Sequence, residues 1–455
     1  MKERQGHALS GKLDSMASNF SYRTSRYIAL AIAFSCPLSL TATEVVVATV
    51  NNRQMIEMQK LTPEFERANA DIKIKWVTLS EAELRQKVSS EVGAKTGTYD
   101  IVTIGMYETP IWAAKGWLKE FQPPESYNVK DLIPTVKDGL SYGKRLYAAP
   151  FYGEGSMTVY RRDLLEKAGL SMHDRPTWAH ITEAAAKMHN PASGVYGICL
   201  RGRAGWGDNM ALITTMVNSH GGQWFDMAWR PQVATKPWKD AIELYVKLMR
   251  NYGPPNAADN SFNENLQLFL DGKCAILVDA TSVGGALVDR KLNRLADQVG
   301  FALAPYATTT KGAGWLWSWA LAIPSNSKNG DAAQRFIQWA TSEAYLNLVA
   351  QSKGWAAIPS GTRLSTYRRT EFLAVSRFAL IEAIAMVTSN PRDATDGKVP
   401  YVGVQYVGIP EFQEIGDFAG KEIRAALIGN QSVETALNKT NLMAEQQLRT
   451  NGYYK

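Results

Sequence analysis

The sequence predicts two doubly wound α/β lobes, on three observations. Its 455 residues exceed the about 100–200 residues of a single domain. Strand-like and helix-like segments alternate along most of it. No internal repeat of about 20–50 residues is present, which leaves out solenoids and propellers. The strand–helix count is also too irregular for a barrel of eight equal units, whereas paired layers of sheet and helix fit it.

The elements follow in order. Residues 44–50 (EVVVATV) are β-branched and read as a strand. Met55, Ile56, Met58, Leu61 and Phe65 have helical spacing, so 55–67 is a helix with Pro63 as its blemish. Residues 72–79 (IKIKWVTL) alternate with period two, Ser80 opens a helix over 81–92, and 99–104 (YDIVTI) is a third strand. Strand, helix, strand, helix, strand is the pattern of a parallel sheet. The same grammar resumes after Pro150. Residues 156–160 are strand-like, 163–168 helical, 178–189 a helix capped by Thr177, and 195–200 a strand. Helices are expected over 238–252 and 262–270, and strands over 274–279, 299–304 and 315–323. The stretches 331–353, 371–388 and 411–448 read as mostly helical.

Hydrophobic residues are 45% and charged residues 20% of the chain, a globular composition rather than a disordered or multi-span one. Five Lys/Arg and two Asp/Glu in residues 1–42 supply +3 of the formal net charge of +7, leaving +4. Spread over the remainder, that is no footprint for nucleic acid, and no basic stripe is visible. Residues 27–40 (YIALAIAFSCPLSL) form a fourteen-residue apolar run, shorter than the about 20 residues a bilayer requires. Arg23 and Arg26 precede it, and Ser39, Thr41 and Ala42 follow. Basic flank, short apolar stretch and small residues predict a secretory signal peptide over 1–42, cleaved near Ala42, with Met16 as an alternative start that gives a more usual signal length. A lipid anchor at Cys36 is the lesser alternative, because Phe34 and Pro37 flank it badly. Export makes a disulfide admissible. Cys199 and Cys274 lie in apolar strand-like segments. Two buried thiols are the expectation and a disulfide the alternative, since sequence does not supply the Cα separation.

The common catalytic motifs are missing. Lys311-Gly312 lacks the upstream glycine and following hydroxyl of a phosphate loop, and Gly153-Glu154-Gly155-Ser156 does not complete a nucleophile elbow. There is no HExxH or CxxC, and His173, His180 and His189 read as surface residues rather than a metal site. No metal, cofactor or catalytic residue is expected. Ligands in doubly wound sheets bind at the carboxyl ends of strands, and hydroxyl-binding residue types gather there. Asn51 and Asn52 follow the first strand, and Tyr107 and Glu108 the third. Tyr152 and Glu154 follow Pro150. Arg201, Arg203, Trp206 and Asn209 follow the Cys199 strand, and Asp279 ends the Cys274 strand. Trp315, Trp317 and Trp319 alternate and so share one face, whereas Trp112 and Trp117 read as core. A polyhydroxylated ligand needs this mixture: each hydroxyl both donates and accepts, and carboxylates, amides and guanidinium forks meet it in pairs. Bland roles compete, among them helix caps for Asn51, Asn52 and Asp279, a turn at Glu154, and core packing for the tryptophans.

Seven segments occur in a telling order: LTPEFERAN, YDIVTIGMYETPIWAAKGWL, YAAPFYGEGSMTVYRRDLLEKAGL, YGICLRGRAGWGDNMA, FLDGKCAILVDATSVGG, WLWSWALAIPSNSK and KGWAAIPSGTRLSTY. Together they resemble the extracellular (periplasmic) solute-binding proteins, family 1 type, of carbohydrate ABC importers. CLRGRAGWGDN, VDATS and VQYVGIPEF are similar to the sorbitol/mannitol-binding (polyol) branch. The resemblance covers about 44–448. It implies a periplasmic binding protein of type II-like fold, two lobes joined by crossing hinge segments with the ligand in the cleft between them. The implied N-terminal lobe is 43–151 plus 320–355, and the C-terminal lobe 152–319 plus 356–455. The family's loop after strand one matches Asn51 and Asn52. Its polar residue after strand three matches Tyr107-Glu108, a departure from the usual Asp. Its hinge carboxylate matches Glu154, its second-lobe strand end Asp279, and its following loop Arg203 and Trp206. The second crossing matches Gly354-Trp355, and a late loop Gln405, Tyr406 and Gly408. The resemblance also implies a monomer that delivers a small polyol or sugar to an inner-membrane ABC permease. On that basis Asp279→Ala is expected to leave folding intact and to weaken binding by roughly 1.5–3 kcal/mol. Three alternatives stand beside this: a secreted carbohydrate hydrolase using Glu108, Glu154 and Asp279; a chemoreceptor-coupled binder; and a binder of peptides, anions or iron through Tyr107 and Tyr406.

Overall fold

The computed structural model describes residues 42–454, so the expected signal peptide and Cys36 lie outside the described residues. Residues from 42 onward pack as one compact unit. The strands are β1 (Thr43–Val50), β2 (Ile72–Leu79), β3 (Ile101–Ile104), the short β4 (Ser141–Tyr142) and β5 (Arg145–Leu146), β6 (Ala148–Arg161), β7 (Ile276–Ala280), β8 (Val299–Leu303) and β9 (Leu316–Ala322). Helices α1 (Arg53–Ala68), α2 (Glu81–Ala94) and α3 (Glu108–Ala114) each follow one of the first three strands. Their starts therefore all fall at strand carboxyl ends.

Seven strands make one sheet in the order β2-β1-β3-β9-β6-β7, with β8 also on β6. β1 pairs in parallel with β2 and β3, as the alternation predicts. Beyond β3 the sheet turns antiparallel: β9 runs against β3, and β6 against β9, β7 and β8. β6 is what divides the molecule. Its first half, through Gly155, pairs with β9, and its second half, from Ser156, pairs with β7 and β8. The register shifts between Pro150 and Tyr152. Such irregularities bend a strand and raise its twist, and here one strand serves two lobes. Glu154 therefore sits in a strand rather than a turn. Its glycine neighbours have packing reasons: a Cβ on Gly153 would lie 2.1 Å from the Gly361 carbonyl oxygen, and one on Gly155 2.7 Å from Ala385 Cβ.

Several other elements differ from expectation. Residues 195–200 form no strand, but Tyr196 and Cys199 make parallel bridges to Cys274 and Leu277. That pairing brings the Cys199 and Cys274 Cα atoms to 6.1 Å, and the two cysteines form a disulfide, within the usual separation. The expectation of two free thiols is corrected accordingly. The helix Asn209–Ser219 is buried at every residue. It has no polar face, and so no amphipathic period to reveal it. The long helical stretch 331–353 is broken into Gly330–Ala340 and Glu343–Lys353, where Ser342 Oγ accepts from Tyr345 N and restarts the helix. Among the described residues no helix is long and apolar enough to cross a membrane.

Candidate functional site

The ends of β1 and β2 and the crossing strands β6 and β9 converge on a cavity of about 440 Å³, part of it open to solvent. Asn52, Glu81, Arg85 and Tyr152 line one part, and Glu154, Arg201, Trp206, Gly207, Ala211 and Phe262 another. Trp315, Trp317, Trp319 and Gln405 complete the wall. The alternation of the three tryptophans thus turns one face of the β9 segment to the cavity. Of the residues expected at the site, Asn52, Tyr152, Glu154, Trp206, Trp315 and Trp317 line it.

Two buried guanidinium groups organise the walls. Arg85 stands one turn after Glu81 on α2, so both side chains share a helix face. Its Nε and Nη2 donate to Glu81 Oε1 at 3.1 and 2.8 Å, and its Nη1 to Glu108. The guanidinium lies 3.9 Å from the Trp206 ring centre, 4.8 Å from that of Trp319 and 4.9 Å from that of Trp317. Burial opposes its charge, but Glu108 and Glu81 outweigh burial and its pKa is raised. Arg201 is fixed by Asp279: Nη2 donates to Oδ1 at 2.6 Å and Nε to both carboxylate oxygens at 3.1 Å. Its Nη1 donates to the Gly207 carbonyl at 2.9 Å, and Trp315 and Phe262 flank it at 5.3 and 5.4 Å. Again burial works against the charge, and the Asp279 carboxylate raises the pKa regardless.

Glu154 has no ion-pair partner among the described residues. Its Oε2 accepts from Ser282 Oγ at 2.6 Å. Burial pushes its carboxyl up to about 8, so near neutrality it can donate as well as accept a hydrogen bond. Asn52 Nδ2 donates to the Tyr152 hydroxyl at 2.7 Å. The indole N–H groups of Trp206 and Trp317 are buried without a partner among the described residues. They are two unspent donors in the wall, and orphaned buried donors call for an acceptor.

The remaining expected residues lie elsewhere. Asp279 is buried and backs the wall through Arg201 rather than lining the cavity, so its loss would leave a buried arginine unpaired. Glu108 likewise backs Arg85. The Tyr107 hydroxyl donates to the Ile409 carbonyl at 3.0 Å, and its ring packs on Trp206 and Tyr406. Tyr107 and Tyr406 thus form a layer behind Trp206, with the Tyr107 oxygen tied to main chain. Asn51 and Arg203 line a neighbouring depression with Asp208, Ser261 and Glu264, where Arg203 Nη2 pairs with Glu264 at 2.7 Å, half exposed. Burial and then the Glu81 charge push Asp208 there up to about 6. Gly354 and Trp355 lie at the end of the helix Glu343–Lys353 and do not line the cavity. Sequence reasoning missed Glu81, Arg85 and Phe262 as wall residues, left Trp319 and Gln405 at its margin, and favoured Asp279 over its partner Arg201. The helix start after β2 was the available signal for Glu81, and i,i+4 spacing the signal for Arg85.

A two-lobed α/β fold with a polar, tryptophan-walled cleft is the architecture of a solute-binding protein. Residues 52–346 match the family model "Bacterial extracellular solute-binding protein", and the chain belongs to that family. It is 48% identical over 419 residues to the mannitol-binding protein of Pseudomonas aeruginosa, covering 92% of this chain and 96% of that one. A solved ABC transporter solute-binding protein of Agrobacterium vitis S4, with bound D-mannitol, superposes with a TM-score of 0.89 at 48% identity, over 90% of this chain and 100% of that one. A ribitol complex from Agrobacterium radiobacter K84 shares the fold at a TM-score of 0.79 and 21% identity, over 90% of this chain and 99% of that one.

Proposed function

We propose that this chain is the substrate-binding component of an ABC importer, capturing an open-chain polyol such as mannitol and passing it to a membrane permease. The observation that carries this is 48% identity, over nine-tenths of the chain, to proteins named for or solved with mannitol. The wall chemistry agrees with it. Glu154, Asn52, Tyr152 and Arg201 offer paired acceptors and donors for successive hydroxyls, and the Trp206 and Trp317 N–H groups offer two more donors. The lobes are read as 43–151 plus 320–355 and 152–319 plus 356–455, and closure around the ligand follows from contacts contributed by both. Export by a cleaved signal peptide places the protein in the periplasm, where it acts as a monomer. The hydrolase alternative needs two free carboxyls flanking the substrate, but Glu108 and Asp279 are each held by a buried arginine.

Calorimetric titration of residues 43–455, refolded to strip carried-over ligand, tests the reading. The panel is mannitol, sorbitol, arabitol, ribitol, xylitol, glucose, fructose and maltose. One-to-one binding of a hexitol with hexoses weak is the expected result. Tight binding of a sugar with no polyol response would replace the ligand class.

A further inference from the structure

We propose that Arg85 is a positioning residue for closure of the cleft: its guanidinium latches onto the Trp206 indole from the opposite wall and sets how long a bound ligand stays. The inference rests on the capture reading above. Glu81 and Glu108, which neutralise Arg85, both precede residue 151, on α2 and at the start of α3. The aromatic plane facing it comes from the other side. Trp206 is fastened there by its own neighbours, its main-chain N donating to Asp417 Oδ1 at 2.9 Å while Gly207 O accepts from Arg201. The ion pairs of Arg85 therefore survive when the walls part, and its stacking on Trp206 does not. The fit is close at the next residue too. A Cβ on Gly207 would lie 2.1 Å from Glu81 Oε1 and 3.1 Å from Arg85 Nε, so a side chain there would push the Glu81–Arg85 pair from its seat. A desolvated cation–π contact corresponds to about thirtyfold in an equilibrium. A contact made only in the closed form adds that factor to the closed population, and so to apparent affinity.

The test combines mannitol titration, release kinetics and a distance measurement between spin labels at Lys87→Cys and Lys421→Cys, both exposed positions. In Arg85→Met we expect mannitol affinity to fall about thirtyfold, mainly through faster release, with label distances shifted to longer values. Arg85→Lys keeps the charge without the planar fork and should recover only part of this. Trp206 also lines the cavity, so the double variant Arg85→Met/Trp206→Leu should bind no more weakly than Trp206→Leu alone. Because Arg85→Met leaves Glu108 buried without its partner, Gly207→Ala serves as a second variant that removes no charge and should shift the same readouts in the same direction. Weakened binding with unchanged label distances would make Arg85 a direct ligand contact and overturn the latch, as would wild-type affinity and distances in both variants. Should the wild type bind no polyol, the capture reading fails on its own. The ligand-free distances still decide the latch: a closed population in the wild type that Arg85→Met lacks supports it, and identical distributions sink it.

Discussion

The two walls of the cleft use the same device in different ways. Each carries a buried arginine held by carboxylate and stacked on tryptophan. At Arg201 every partner lies on one side: Asp279, the Gly207 carbonyl, Phe262 and Trp315 all fall within residues 152–319. The Cys199–Cys274 disulfide fastens the two segments that deliver Arg201 and Asp279. At Arg85 the carboxylates are local, but the aromatic partner Trp206 comes from across the cleft. On the proposed lobe boundaries, the partners of Arg201 all come from one lobe, whereas those of Arg85 come from both. Between them lies Glu154, with no arginine partner among the described residues. On the latch proposed above, a preformed wall would hold ligand groups in place at little entropic cost, and a conditional wall would link occupancy to shape.

The largest expected effect is on the preformed wall. Asp279→Ala should destabilise the protein by about 3–5 kcal/mol, because it strands Arg201 in the interior. Urea unfolding reads this directly, and a loss below about 1 kcal/mol would mean that the wall is not preformed. Removing the disulfide as Cys199→Ser/Cys274→Ser should cost about 2–5 kcal/mol. The label distances across the cleft should stay as in the wild type; if they lengthen, the disulfide also governs closure.

Glu154 sharpens the contrast through pH. Burial raises its carboxyl from the usual 4.5 to about 8, so the folded protein favours the neutral form. Its contribution to stability is fully present below 4.5 and is lost as pH rises through 8. Glu154→Gln removes that dependence. Between pH 6 and 7, values this mutant comparison would span, wild type should lose about 1.4 kcal/mol relative to the variant. Parallel melting curves for the two proteins across that interval would show that Glu154 is paired after all. The smallest effect is expected outside both walls. Arg203→Ala removes a half-exposed pair with Glu264 and should change stability and mannitol affinity by less than about 0.5 kcal/mol. A tenfold loss of affinity would return Arg203 to the ligand shell.

Much of this was legible in advance because it is local. Period-two alternation marked β2 and turned Trp315, Trp317 and Trp319 to one face, helical spacing marked α1, and hydroxyl-binding residue types singled out after strand-like segments included Asn52, Glu154 and Trp206, which line the cavity. The ordered segments carried the family. Three things were not legible. The sheet's antiparallel middle depends on β6 and β9 passing between lobes, which no window of neighbouring residues encodes. The helix Asn209–Ser219 is buried on all sides and so leaves no periodic trace. And which carboxylates remain for a ligand was decided only by partners distant in sequence: Asp279 is consumed by Arg201, 78 residues away, and Glu108 by Arg85, 23 residues away, while Glu154 has no ion-pair partner among the described residues. Residue type and position along a strand determine which side chains reach the strand ends. Only the tertiary structure decides which of those charges cancel, because the cost of burying a charge depends on what stands opposite it.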